Sequence, residues 1–191
     1  MSQPIDMKCK LYFSLLLFLS SCSSGVSFSR HSSLEVHSMG LNRVLLKADC
    51  QTIVCSEGFA DEGNIWMTDI PLDKLANGDF TDGQIIHLQL LWKPVAGKTP
   101  LSSSSTNLAI KHIIVSGGSV GVYTGGGFCI PNGSPKKGMS LYIEEATIAL
   151  NEHNSSFVDL LTPATMTGRV SSTPNRQIAR QIENAAAYIA P

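Results

Sequence analysis

Alternation of apolar and polar residues with a period of two is the feature that most constrains how this chain can fold. The clearest case is residues 84–93, where the residues predicted to share one strand face are Ile86, Leu88, Leu90 and Trp92. Similar runs occur at 34–38, 43–56, 65–70, 107–116, 139–150, 157–161 and 164–171. The pattern predicts a mainly β (β-rich α+β) domain with an antiparallel, sheet or sandwich-like architecture.

Several features interrupt these runs. The apolar phase changes at 49–51, which predicts a bulge or a bend. It changes again at Glu144 and Glu145, which predicts a bulge or a hairpin between two short strands. Three glycines at 125–127 and the Pro-Asn-Gly-Ser-Pro sequence at 131–135 predict breaks in the strands. One helical turn is expected at 71–76, stopped by the Asn-Gly pair that follows.

The carboxy-terminal segment has a different period. Over residues 174–190 the apolar positions recur at helical spacing: Ile178, Ile182, Ala185, Ala186 and Ile189. Thr173 is the expected cap and Pro174 the expected first helical residue. This amphipathic helix is predicted to pack on the sheet, and a helix that binds a partner or a membrane is the alternative.

The amino-terminal segment predicts export. Lys8 and Lys10 precede an apolar run at 11–19, which is too short for the roughly 20 residues that a membrane-spanning helix needs. The run ends in Leu-Ser-Ser-Cys at 19–22, which resembles the lipobox of bacterial lipoprotein signal peptides. The resemblance implies cleavage before Cys22 and attachment of a lipid to its thiol.

The predicted organisation is a signal peptide at 1–21, a Ser-rich tether at 22–33 and a single domain at 34–191. The expected location is the cell envelope, anchored to a bacterial membrane, with the outer membrane as one option. Met7 is a second plausible start. The mature domain is similar in patterning to bacterial envelope lipoproteins of unknown activity.

Charge argues against nucleic acid as a partner. The chain has 14 Lys and Arg against 15 Asp and Glu, and its only adjacent basic pair is Lys136 and Lys137. No motif for a cofactor is present, and an oligomeric state cannot be derived from the pattern. Three cysteines fall in the domain, Cys50, Cys55 and Cys129; they are candidates for a disulfide of unknown pairing or for buried free thiols.

Three patterns suggest chemistry, each with a simpler explanation. Gly-Gly-Ser-Val-Gly around Ser119 matches a nucleophile elbow, but no helix is predicted after it, so a hairpin turn is favoured. His87 and His112 would face each other as metal ligands if Lys93 pairs with Thr106, although polar residues on a partly wet face are the simpler explanation. Residues 77–83 offer alternating oxygen ligands, as calcium loops do, but not the spacing of an EF-hand. An irregular calcium site is the alternative there, and plain Asx turns are favoured.

These observations favour a non-enzymatic structural or interaction module of the cell envelope. The alternative is a carrier of lipid or another apolar small molecule, with a cavity between the sheet and the terminal helix. A hydrolase or a metal-dependent enzyme is a third and weaker interpretation. No catalytic residue is assigned.

Overall fold

The computed structural model describes residues 31–41, 43–57, 63–94 and 105–190, which form ten strands and two helices. In chain order the strands are β1 (His31–Ser32), β2 (Leu34–Ser38), β3 (Leu45–Ala48), β4 (Thr52–Glu57), β5 (Gly63–Thr68), β6 (Gly83–Leu90), β7 (Leu108–Ser116), β8 (Ser119–Ser134), β9 (Gly138–His153) and β10 (Ala164–Pro174), and the helices are α1 (Leu72–Asn77) and α2 (Arg176–Ile189). The predicted signal peptide, the lipobox and Cys22 lie outside the described residues and stay predictions.

All ten strands belong to one sheet. The strand order is β3-β2-β10-β4-β5-β6-β7-β8-β9, with β1 beside β10. Because β9 also pairs with β10, the sheet curves round and closes on itself. Every pairing is antiparallel except a short parallel contact between β10 and β4. The predicted mainly β class, with an antiparallel sheet and a carboxy-terminal helix packed on it, is confirmed.

The curved sheet has an apolar core on each side. The inner core fills the space that the closed sheet surrounds, with fully buried side chains that include Leu34, Ile53, Ile86, Leu88, Leu108 and Tyr123. The outer core lies between the convex side of the sheet and the two helices, and its members include Val54, Trp66, Ile85, Ile113 and Val122. Strands buried on both sides explain why residues 84–93 are apolar in both phases.

Helix α2 covers the outer core, as predicted, but it begins later than expected. Pro174 ends β10 by pairing with Cys55, and Asn175 is the actual cap, its side chain accepting a hydrogen bond from the Ile178 amide at 3.0 Å. Ala179, Ile182 and Ala186 are buried against the sheet. The short helix α1 ends at Gly78 in the left-handed conformation (φ 68°), as the Asn-Gly pair predicts.

The glycines at 125–127 do not break the chain, contrary to prediction. They lie inside the 16-residue strand β8, paired with both β7 and β9. A Cβ at Gly125 would overlap the carbonyl oxygen of Thr147, and one at Gly127 would overlap that of Glu145. Glycine is therefore required because the neighbouring backbones approach closely where the sheet curves.

Other local predictions had mixed outcomes. The expected bulge at Glu144 is confirmed, since Phe128 pairs with Glu145 while the next residue pairs with Ile143. The predicted strand at 157–161 is wrong, because this segment is irregular. The tether was predicted to run to residue 33, but His31–Ser32 already pairs with β10, so regular structure begins at His31.

Candidate functional site

The two histidines predicted as a pair lie on opposite faces of the sheet. In the β6–β7 hairpin, His87 pairs with Lys111 and Ile86 with His112, one residue away from the assumed register. A one-residue shift reverses the face of every side chain in a strand. Across the described residues, no group of three or more His, Cys, Asp or Glu side chains could hold a metal ion.

His112 points into the inner core and is completely buried. Its Nε2 lies 3.0 Å from Oε1 of Gln84, whose amide nitrogen in turn contacts the Lys47 carbonyl and Asp69. That arrangement makes Nε2 the protonated nitrogen, and it leaves Nδ1 as a buried acceptor without a partner. Burial lowers the pKa of His112 from 6.5 to about 4, so the ring is neutral near pH 7.

His87 lies on the outer face, beside the start of α2. Its ring stacks on Trp66 with centroids 3.9 Å apart, and its Nε2 is 2.8 Å from Oδ1 of Asn64. Burial, reinforced by the charge of Lys111, lowers the pKa of His87 from 6.5 to about 4. The ring is therefore a neutral, half-buried platform.

A small cavity opens above this platform, which we call the polar pocket. Its volume is about 240 Å³, and the residues that define it are Asn64, Trp66, His87, Arg176, Arg180 and Glu183. Strands β5 and β6 provide the floor, and the exposed face of α2 provides the wall. Arg176 and Arg180 fall outside the apolar positions of the predicted amphipathic helix, and nothing else in the sequence marks them as lining a pocket.

A larger depression, the apolar groove, lies nearer the end of α2. It has a volume of about 710 Å³ between α1, α2 and the β7–β8 hairpin. Its apolar lining consists mainly of Leu75, Phe80, Val115, Val120, Tyr188 and Ile189. The polar lining is uncharged, with side-chain amides from Asn77, Gln181 and Asn184. The groove lies between sheet and terminal helix, where the alternative interpretation as a carrier would require a cavity.

Tyr188 is the most unusual residue of the apolar groove. Its side chain is 87 % exposed although it stands beside an apolar surface. The helical pattern gave no reason to select Tyr188, because it falls outside the apolar positions that pack on the sheet. Only the placement of α1 and the hairpin beside α2 shows that this tyrosine borders a groove.

Ser119 does not lie on a nucleophile elbow. Gly117 and Gly118 have positive φ angles of 57° and 76° and form a two-residue hairpin turn, after which strand β8 begins. The Ser119 hydroxyl donates to Ser156 at 2.8 Å, and no histidine of the described chain hydrogen-bonds to it. The favoured explanation, a hairpin turn, is confirmed.

In the loop at 77–83, the carboxylate of Asp82 is used within the protein. One carboxylate oxygen of Asp82 accepts a hydrogen bond from the Gly117 amide at 3.0 Å, and the other accepts one from the Thr81 hydroxyl at 2.8 Å. These bonds lower the pKa of Asp82, led by the bond from Gly117. Asp82 therefore joins its own loop to the β7–β8 turn.

The three cysteines of the domain are free thiols. Cys55 and Cys129 are buried in the inner core, and Cys50 packs against that core. Burial, with smaller contributions from Asp69 and Asp49, raises the pKa of Cys50 to about 12. Burial alone raises the pKa of Cys129 to about 12. The thiols are therefore held in the weakly nucleophilic protonated form.

No protein-family model, curated protein or solved structure matches this chain. Within the described ranges, no helix is both long enough and apolar enough to cross a membrane. The function must therefore be argued from the geometry of the apolar groove and the polar pocket.

Proposed function

We propose that this protein is a non-enzymatic interaction module that binds an uncharged, apolar segment of a partner protein in the apolar groove. We further propose that it is exported and held at a bacterial membrane by a lipid on Cys22. The observation that carries the first part is an exposed groove of about 710 Å³ with no charged residue in its lining.

The chemistry of the groove suits a peptide. Phe80, Val115 and Val120 offer an apolar floor for side chains, and Tyr188 is the type of residue that often dominates binding energy at protein interfaces. Asn77 and Asn184 make no side-chain hydrogen bond within the described chain, so their amides are available to pair with peptide groups. A charged segment would lose hydration there without gaining a counter-ion.

The filled inner core favours a binding surface on the outside of the sheet rather than a carrier cavity inside it. The space inside the closed sheet is occupied by large buried side chains, such as Tyr123, Met139 and Leu141. An apolar small molecule would therefore have to use the same outer groove. A partner protein would form a larger complex or a protein adduct with this chain, whereas an apolar small molecule would not.

The predicted tether would keep the groove close to a membrane. Eight residues, 23–30, separate Cys22 from the start of β1 at His31. Even fully extended they span at most about 29 Å. We therefore expect partners within or next to the same membrane. The test is intact mass and membrane fractionation of the wild type and Cys22→Ala. A mass that matches cleavage before Cys22 plus acyl chains, lost in the variant, supports the anchor. A soluble, unacylated wild type refutes it.

A matched pair of substitutions on α2 tests the groove. Asn184 is exposed and lines the groove, whereas Ala187 is exposed on the same helix but does not line it. Asn184→Arg places a long charged side chain in the groove, and Ala187→Arg adds the same charge outside it. In mild-detergent extracts of the envelope, we expect a complex larger than the chain itself for the wild type and Ala187→Arg, and its loss for Asn184→Arg. Equal behaviour of the two variants would contradict the proposal.

A further inference from the structure

Two arginines of the polar pocket have no counter-ion within the described part of the chain. Arg176 and Arg180 stand one helical turn apart at the start of α2, and neither makes an ion pair or a hydrogen bond with another described residue. Glu57, which also borders the pocket, is already paired with Lys136 at 3.2 Å. Glu183 is therefore the one acidic group of the lining that is not engaged by a lysine.

This placement of positive charge is unfavourable in the free protein. The amino-terminal end of a helix carries a partial positive charge, and the first turn of α2 contains no acidic residue to offset it. Like charges at positions i and i+4 also repel each other. Lys111, whose charge acts on the neighbouring His87, adds to the positive field. Both arginines are exposed, so water reduces these costs, and Glu183 in the same lining offsets part of the positive charge. A bound anion would lower the costs that remain.

We propose that the polar pocket is a binding site for the oxyanion of a small ligand, a carboxylate or a phosphate. Guanidinium groups match both oxyanions with forked pairs of hydrogen bonds. Oδ1 of Asn64 contacts His87, and the amide nitrogen of Asn64 has no hydrogen-bond partner among the described residues, so it adds a third donor group. The stacked Trp66–His87 pair supplies a rigid floor, and a volume of about 240 Å³ admits one small group rather than a polymer.

The pocket contains a natural reporter. Trp66 lies in its floor, and the chain has only one other tryptophan, Trp92. In the full chain carrying Trp92→Phe, fluorescence is therefore a measure of the environment of Trp66. We expect inorganic phosphate or acetate, added at constant ionic strength with chloride as the balancing salt, to change this fluorescence along a saturable curve.

Arginine-to-glutamine variants inside and outside the pocket decide whether the signal comes from the pocket. Arg176→Gln combined with Arg180→Gln should weaken binding at least tenfold. Arg169→Gln removes an exposed arginine that lies over the ring of Tyr142, 5.0 Å from its centroid, and should leave the curve unchanged. Absence of saturable binding, or a similar loss in the Arg169 variant, would overturn the proposal.

The oxyanion could belong to a soluble molecule or to a lipid headgroup. Binding of sn-glycerol 3-phosphate in solution would support a soluble ligand. Binding only to vesicles of phosphatidylglycerol, and not to vesicles of phosphatidylcholine, would support a headgroup. In either arm, binding retained by the double arginine variant would count against the site. Because the polar pocket and the apolar groove share no lining residue, this proposal and the proposed function can fail independently.

Discussion

Replacement of His112 by glutamine is expected to remove part of the acid sensitivity of the fold. His112 is fully buried and neutral, and burial lowers its pKa from 6.5 to about 4. In the unfolded chain the same ring takes up a proton near pH 6.5. As the pH falls from 6.5 towards 4, the unfolded state therefore binds more protons than the folded state, and stability is lost across this interval.

The size of the effect follows from the two pKa values. A difference of one unit corresponds to about 1.4 kcal/mol, so the fully developed loss below pH 4 is about 3 kcal/mol. Between pH 7 and pH 5 the same linkage gives a loss of about 2 kcal/mol from this one residue. His87, whose pKa is also lowered to about 4, acts in the same direction and is unchanged by the substitution.

The assay is urea unfolding of the wild type and His112→Gln at pH 7 and pH 5. Whatever its stability at pH 7, the variant should lose about 2 kcal/mol less than the wild type between the two pH values. Ile110→Val, a truncation in the adjacent core without a titrating group, should cost about 0.5–1.5 kcal/mol equally at both. Parallel losses in the wild type and His112→Gln would refute the role given to the buried ring.

Three further predictions concern the sheet and its thiols. Gly125→Ala should destabilise the fold by about 1–3 kcal/mol in urea unfolding because its Cβ would overlap the Thr147 carbonyl. Gly40→Ala should cost far less, because its Cβ would meet the Ser38 hydroxyl at 3.3 Å and the Thr162 carbonyl only at 3.9 Å; equal costs would contradict this. Asn107→Ala should lower the free energy of unfolding by roughly 2–5 kcal/mol in the same assay, since the buried side chain bonds both the amide and the carbonyl of Cys129. A near-neutral result would show that these groups find other partners. The three free thiols should alkylate slowly in the native protein at pH 8 and quickly in urea, as followed by mass spectrometry; rapid native labelling would contradict their raised pKa values.

The strands could be predicted from sequence because their signal is local. Alternation identified the segments that became β6 and β7, and the phase change at Glu144 located a bulge that the pairing of β8 and β9 confirms. The helical period found α2, although its first residue was misplaced by two because the capping role of Asn175 depends on where β10 ends.

Features that depend on distant contacts could not be predicted in the same way. The glycines at 125–127 look like a chain break, yet they are required by the approach of β9 to β8, which the local sequence does not encode. The β6–β7 register pairs apolar residues such as Leu88 with Ile110, whereas the prediction took its register from a pairing of Lys93 with Thr106 across the loop. An assumption about that loop was therefore enough to place His87 opposite the wrong residue.

The two candidate sites could not be predicted from the sequence either. Each is built where α2 meets elements from other parts of the chain, so its residues are far apart in the sequence. Tyr188 and Arg180 both fall outside the apolar positions that identify the amphipathic helix. The polar pocket forms where the start of α2 packs near β5, and the apolar groove forms where the end of α2 lies beside α1 and the β7–β8 hairpin.

The most direct test of the proposed function is site-specific photo-crosslinking in a bacterial host. Benzoylphenylalanine would replace Tyr188 in the groove or, as a control, Tyr142, which is also exposed but lies on β9. We expect a discrete protein adduct at position 188, none at 142, and loss of the adduct when Asn184→Arg is added. The absence of an adduct specific to position 188, or an adduct with lipid alone, would contradict the account of the groove as a site for a partner protein.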